Sequence, residues 1–393
     1  MATRKISAPC VVPVSGDPLR NGVLTFNEQG ALVEIMAGVS NPWAVPGVEY
    51  YNGAIVPGFV NTHCHLELSY MKDALPEATG LPGFVKRIME TKFTYSEEVQ
   101  RKAVAETDRL FWESGVQAVG DISNTTVSFD TKERSRVKYV TFLEIFNVLM
   151  GADYRDTLAG GAGLLAEARR LGLEAYVTLH ATYSESKKLF EEYPRAEGTQ
   201  CISIHYMESP DDDLIFKNQG GFYKLFQEKG VTLDFLDEES STNRIVSHIP
   251  SDRRVLLVHN TYVTQADIDA LTARYPRLSW ALCPRSNYYI GRNYPNTALM
   301  TAPGNDLNLT VGTDSLSSNR SLQMIEELKC LVRERGVKEL DAIRWATLNG
   351  AKALDLDHEI GSFDVGKSPG AVLLEGVADG LRFTPRTTSR RLV

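Results

Sequence analysis

Asn61-Thr-His63-Cys-His65-Leu-Glu67-Leu68 follows the apolar run Ala54-Ile-Val-Pro-Gly-Phe-Val60. That run reads as a buried strand with a Pro-Gly break inside it. Alternate side chains of a strand share a face, so His63 and His65 point one way and Cys64 the other. Two imidazoles on one face at a strand end can hold a metal ion as a pair. His-X-His alone is a weak motif that two ordinary histidines satisfy equally well. The rest of the chain must therefore supply further ligands.

From residue 54 onward, apolar strands alternate with helical stretches. The strands fall at 54–61, 116–122, 137–146, 174–180, 201–206, 255–259, 279–283 and 308–313. Helical periodicity occupies 97–114, stopped by Gly115, then 159–171 before Gly172, and 265–275 before Pro276. Eight near-continuous apolar strands separated by helices predict an α/β fold, a parallel (β/α)₈ TIM barrel over 54–360. The alternative is a doubly wound open sheet. No Gly-X-Gly-X-X-Gly or Walker segment supports it. Residues 321–335 and 341–354 read as two more helices. Residues 1–53 carry short apolar stretches at 8–14, 22–26 and 31–35, separated by turn chemistry such as Asn21-Gly22. The tail is strand-like at 361–366, 369–374 and 381–392. Neither end is large enough to fold alone, so 1–53 and 361–393 are expected to build one small β-sandwich domain together.

The totals narrow the function classes. The 393 residues carry a net charge of −8, which offers no surface for nucleic acid or anionic membranes. No apolar run reaches the roughly 18 residues needed to span a bilayer, and Met1-Ala-Thr-Arg-Lys-Ile6 has no secretory h-region. The five cysteines are odd in number and scattered, which fits a reducing cytoplasm.

Chemistry in such a barrel sits at the C-terminal ends of the strands. Five of the seven histidines fall there: His63, His65, His180, His205 and His259. Asp314 follows the eighth strand and Glu208 the fifth. Each has a bland reading: a core histidine, a helix cap at Gly-Thr-Asp-Ser, a solvated loop glutamate. Their convergence on one rim favours a site. His248 and His358 stand apart as ordinary surface residues. Three imidazoles and a carboxylate suit one divalent ion, Zn²⁺ or alternatively Fe²⁺. The ligands are assigned as His63, His65, His205 and Asp314, with Asp314 also placed to accept a proton from bound water. Such an ion lowers the pKa of its water from 15.7 to about 7. Glu208 is the proton shuttle to the leaving group. His259 polarises the attacked centre or orients the hydroxide, and His180 hydrogen-bonds the substrate.

With these residues in hand, the chain resembles the amidohydrolase superfamily, in its deaminase and chlorohydrolase-like branch. The resemblance spans nearly the whole length. It is carried by Val56-Pro-Gly-Phe-Val-Asn-Thr-His-Cys-His-Leu-Glu-Leu-Ser69, His180-Ala-Thr-Tyr-Ser184, His205-Tyr-Met-Glu208, Val258-His-Asn-Thr261, Cys283-Pro-Arg-Ser-Asn287, Gly312-Thr-Asp-Ser315 and Ala346–Leu354, in the family's order. It implies a metal-dependent hydrolytic deaminase of an amino-substituted heterocycle that releases ammonia. His-Leu-Glu-Leu-Ser and Cys-Pro-Arg-Ser-Asn look most like the aminodeoxyfutalosine and adenosine-type deaminases. Members with two metals carry a bridging lysine at the end of strand three or four. Leu143-Glu-Ile-Phe-Asn147 and Thr178-Leu-His-Ala181 carry none, so one metal is implied. Ser368-Pro-Gly-Ala-Val departs from the family's usual Ala-Asp before the terminal strand. Dimers are common among such barrels, which makes a homodimer the expectation by analogy.

His65-Leu-Glu67 also reads formally as His-X-Glu of the cytidine-deaminase class, but its Pro-Cys-X-X-Cys partner is missing. Glu67 is thus a salt-bridged strand-end residue or a substrate contact. Arg285, just past strand seven, can form a surface ion pair or grip an anionic substrate group bidentately, with Asn287 adding a hydrogen bond. Phe84, Trp112 and Tyr183 are candidates for an apolar pocket. Two further functions compete. One is release of another leaving group, chloride or an alkylamine, on the same scaffold. The other is a non-catalytic scaffold protein, which the intact ligand set argues against.

Overall fold

The computed structural model describes residues 3–393, so residues 1 and 2 of the expected terminal unit lie outside the described residues. Two four-stranded parallel sheets form the centre. One holds Phe59–Cys64, Val116–Ser123, Lys138–Ile145 and Glu174–Leu179, paired in chain order. The other holds Cys201–Tyr206, Arg254–His259, Leu278–Leu282 and Leu309–Val311, again in chain order. Single parallel bridges join the sheets at both edges, Ala181 to His205 and Cys64 to Asp314. These strands are buried on both faces, which is why their sequences are apolar without alternation.

The helices begin and end where local chemistry dictates. Glu97–Ser114 starts at Ser96, whose side chain accepts from the Val99 amide, and stops at Gly115 in the left-handed region. A Cβ at Gly115 would also collide with Val372, so glycine is required there twice over. Tyr154–Arg170 opens on an Asp153 cap, five residues before the expected start at 159. Gln265–Arg274 opens on a capping box of Thr264 and Asp267. The expected helix 341–354 is interrupted: a π turn, Trp345–Asn349, separates Glu339–Arg344 from Gly350–Ala353.

The expected strand 54–61 is two strands. Ala54–Val56 pairs with Val372–Glu375 and Cys10–Val11, whereas Phe59–Cys64 opens the parallel sheet. Pro57 lacks a donor, and a Cβ at Gly58 would meet the Pro369 carbonyl oxygen at 2.7 Å, so the chain changes sheets there. Both ends contribute to two further sheets. One orders Leu32–Met36, Val23–Asn27, Thr3–Ser7 and Val48–Tyr50; the other orders Thr388–Arg391, Val372–Glu375, Ala54–Val56, Cys10–Val11 and Leu19–Arg20. Ile6, Phe26, Ile55 and Leu373 from these sheets share one apolar cluster. Residues 361–366 form no strand; Gly361 takes φ +90° and packs under Ala351. No helix among the described residues is long and apolar enough to cross a membrane.

A second apolar cluster lies beside the first sheet's C-terminal ends. Leu81 and Phe84 of helix Leu81–Thr91 meet Phe222 of helix Gly220–Glu228 and Tyr183, which stacks on Phe222 at 4.1 Å.

Candidate active site

Strand ends bring the site together. His63 and His65 close the first parallel strand with ring centroids 4.9 Å apart. Asp314 Oδ1 lies 3.7 Å from His63 Nε2 and 3.5 Å from His65 Nε2. His65 Nε2 faces His205 Nε2 at 3.2 Å. His259 completes the group, its ring 5.4 Å from that of His205. The backbone is bent to aim these groups: His259 and Asp314 both take positive φ, at 79° and 58°. Thr313 and Asp314 amides both donate to the His63 carbonyl, which locks the eighth strand's turn to the first strand. Behind His65, the Leu66 amide donates to Asp121 Oδ1 at 2.7 Å, and Asp121 is ion-paired to Lys132 at 2.6 Å.

The donor set fits a divalent cation. Neither ring nitrogen of the fully buried His63 has a hydrogen-bond partner among the described residues. Such an imidazole costs free energy unless something else binds it. Asp314 Oδ2 accepts from Ser286 Oγ at 2.5 Å and Ser318 Oγ at 2.7 Å, which leaves Oδ1 turned toward the histidines. His205 Nδ1 faces the His180 carbonyl at 2.9 Å, fixing that ring with Nε2 inward. Burial raises the Asp314 carboxyl, but the imidazoles of His63, His65 and His259 overcome this and hold it well below its usual range. Burial and the neighbouring imidazoles push His205 down to about 3 and His65 well below its usual value, so both rings are neutral and able to ligate.

Glu208 stands opposite. Its Oε2 is 3.5 Å from His259 Nε2, and burial, then Asp314 and Asp212, push its carboxyl well above the ordinary range. The loop that carries it is pinned by Asp212, which accepts from the Ser209 amide and hydroxyl. His180 bonds Ser184 through Nδ1 at 2.8 Å and lines the cavity with its ring; burial first, then His63 and Lys92, lower it to about 4.

Above these groups a cavity of about 180 Å³ opens, larger than the roughly 150 Å³ that admits benzene. Its floor holds His65, His205, His259, Glu208 and Asp314. Its upper wall is apolar, with Leu81, Phe84, Ile88, Phe146 and Tyr183 among the side chains. Phe84 and Tyr183 thus sit where an apolar pocket is expected. Trp112 does not; it lies under the Arg391 guanidinium at 3.6 Å.

Three candidate substrate contacts lie outside the lining. Glu67 is buried with Oε2 accepting from the Asn124 amide and from the Thr125 amide and hydroxyl, so it ties the first strand's exit to the second's. Arg285 turns away and donates to the Ser321 carbonyl at 3.2 Å. Asn287 donates to His259 Nδ1 at 3.0 Å. His248 is a partial exception to its expected surface role: it is half-buried against Glu238 at 2.6 Å. Ser318 and Asp212 were not anticipated. The serine-rich Ser315-Leu-Ser-Ser318 and the acid run Asp211-Asp-Asp213 carry the only sequence signals for them.

The amidohydrolase family model matches residues 150–389, well over half of the chain. The chain belongs to the amidohydrolase family. A 5-methylthioadenosine/S-adenosylhomocysteine deaminase of Thermoanaerobacter pseudethanolicus is 33% identical over 349 residues, covering 81% of this amidohydrolase and 72% of that protein. Among solved structures, the aminofutalosine deaminase of Helicobacter pylori in complex with methylthio-coformycin superimposes with a TM-score of 0.80 at 21% identity, covering 99% and 100% of the two chains. An adenosine deaminase from Xanthomonas campestris with bound zinc gives a TM-score of 0.73 at 19% identity, covering 94% and 84%. This amidohydrolase therefore shares their overall fold, and its membership makes it a hydrolase with a small-molecule substrate.

Proposed function

We propose that this chain is a metal-dependent hydrolytic deaminase of an aminated heterocycle of purine-nucleoside type. The observation that carries the reading is His63, buried and unbonded among His65, His205 and Asp314, with Glu208 held at the far side of the neighbouring His259. Named relatives that deaminate adenosine-type compounds support the substrate class. On the same reading the two parallel sheets are halves of one (β/α)₈ barrel within 54–360, supported by the bridges at both edges. The terminal sheets form a β-sandwich from 1–53 and 361–393 that also takes in strand Ala54–Val56, supported by their shared apolar cluster.

His63, His65, His205 and Asp314 would hold one ion, with zinc favoured by a three-imidazole, one-carboxylate set. When bound it supplies Lewis acidity, which brings the pKa of water to about 7. Asp314, ionised and fixed by Ser286 and Ser318, accepts a proton from the attacking water. The water oxygen bonds to the amine-bearing ring carbon while the C=N π pair moves onto the adjacent ring nitrogen, and that pair re-forms the C=N bond as the amine departs. Glu208, which holds its proton readily in this buried position, donates to the departing amine; the C–N bond breaks and ammonia leaves. His259 receives the Asn287 amide at Nδ1, which places its own proton on Nε2 beside Glu208 and the attacked centre. His180 orients the substrate from the fourth strand.

Ammonia release from a panel of adenosine-type nucleosides, aminopyrimidines and aminotriazines tests this. Wild-type protein should release ammonia from at least one nucleoside, and Glu208→Gln should abolish release while retaining the metal. Activity on a halogenated analogue with no ammonia from any amine would overturn it in favour of the other leaving group.

A further inference from the structure

Glu144 lies near the end of strand Lys138–Ile145, the one acid in a strand that is buried from Tyr139 onward. Its side chain is 3% exposed and lines the cavity above the histidines. Asn124 Nδ2 donates to Oε2 at 2.9 Å and to the Glu144 carbonyl at 3.1 Å, so the carboxylate is held in one orientation. Oε1 is buried and has no hydrogen-bond partner among the described residues. A carboxylate oxygen buried this way is stable only if a donor reaches it.

Three kinds of donor can be compared. Glu144, His180 and His205 each place a ligand atom within 4.8 Å of the others, which suggests a second metal. His205, however, has no nitrogen to give. Its Nδ1 faces the His180 carbonyl at 2.9 Å, and its Nε2 faces His65 at 3.2 Å. Two remaining ligands do not make a cation site. His205 Nδ1–H is the second candidate, but it is 3.5 Å away and already directed at that carbonyl. The third is the substrate. A substrate hydroxyl can donate there without carrying a charge into a cavity whose upper wall is apolar. Glu67, the carboxylate nearest in sequence to the histidine pair, already uses its Oε2 on Asn124 and Thr125.

We propose that Glu144 is a specificity-determining residue whose Oε1 accepts a hydrogen bond from a hydroxyl on the sugar portion of the substrate, beside the His180 ring. This rests on the nucleoside-deaminase reading above. Glu144→Gln is an informative change, because Asn124 would still demand an acceptor at the Oε2 position. The glutamine oxygen goes there, and its NH₂ replaces Oε1, turning the acceptor into a donor.

The test compares adenosine with its 2′-deoxy and 3′-deoxy forms as substrates. In parallel, purine riboside and its deoxy forms, which have no amine to lose, are titrated calorimetrically into the metal-loaded protein. Wild-type protein should favour the hydroxylated ligand by about ten- to a hundredfold over at least one deoxy form, the range of a hydrogen bond to a charged group. Glu144→Gln and Glu144→Ala should erase that preference by weakening the hydroxylated ligand alone, at unchanged metal content. Equal losses for hydroxylated and deoxy ligands, or a fall in metal content, would overturn the proposal and assign Glu144 to positioning His205. No preference in the wild type, or no binding of any riboside, would overturn it too. If ammonia is never released but the binding preference follows Glu144, the deaminase reading fails and this assignment stands.

Discussion

Substituting Gly312 with alanine should damage the proposed metal site without touching any of its proposed ligands. Gly312 follows strand Leu309–Val311, and its amide donates to the Leu282 carbonyl at 3.0 Å. A Cβ there would sit 2.8 Å from His63 Cβ, 3.0 Å from Cys283 Sγ and 3.0 Å from the His63 carbonyl oxygen. Carbon atoms pack comfortably at roughly 3.5–4.0 Å, so the first contact is short by about 0.7 Å or more. The obstacles stand on two different segments, strand Phe59–Cys64 and the residue just past strand Leu278–Leu282, so a single rotamer change cannot clear them. His63 must move, and because its carbonyl anchors the Thr313 and Asp314 amides, Asp314 moves with it. Functional constellations tolerate displacements of about 0.5 Å, so the overlap exceeds the tolerance. Gly312→Ala should cost about 1–3 kcal/mol of stability, as overpacking does. Metal affinity should fall about 10–100-fold, the size of loss seen when ligand positioning is disturbed. Urea denaturation of the apo protein and chelator competition measure the two effects separately. Gly163, in helix Tyr154–Arg170 with nothing within 4 Å of its would-be Cβ, is the control. Gly163→Ala should gain about 0.5–1 kcal/mol and leave metal binding alone. A Gly312→Ala protein with the parent's urea midpoint and the parent's metal affinity would refute the packing argument.

Other changes follow from buried charge. Lys132 and Asp121 are fully buried 2.6 Å apart, so Lys132→Met should cost about 3–5 kcal/mol by stranding the carboxylate; a urea-measured loss under about 1 kcal/mol would contradict this. Burial pushes Glu185 up to about 8 despite Arg244, so its folded form keeps a proton that the unfolded chain releases near 4.5. Its contribution is fullest below pH 4.5 and is lost as pH rises toward 8, by at most about 1.4 kcal/mol per pH unit. Glu185→Gln should therefore flatten the fall in melting temperature between pH 5 and 8; an unchanged pH profile would refute the assignment. Arg285→Ala should leave KM unchanged because the side chain bonds Ser321 outside the cavity, and a large rise in KM would return Arg285 to the substrate.

How far the sequence reveals this site depends on what carries each side chain there. The parallel strands are legible because burial on both faces forces apolar runs, and a side chain at a strand end inherits its direction from the two-residue period. His63, His65, His180, His205 and His259 all come this way. Asp314 is reached through one tight turn. Glu67, Arg285 and Asn287 are different. Arg285 and Asn287 sit in helix Pro284–Gly291, two residues apart, and a helix sends such neighbours in different directions: one to Ser321, the other to His259. Glu67 lies in the 3₁₀ turn after His65, where its partners come from a loop 57 and 58 residues later. Spacing along the chain carries no information about such partners. Glu144 is the instructive omission. In Thr141-Phe-Leu-Glu-Ile145 a lone acid interrupts a strand whose neighbours are all buried, and an ionisable group is rarely placed there unless it meets a partner. Burial on both faces, the property that makes the parallel strands easy to find, also makes that exception visible.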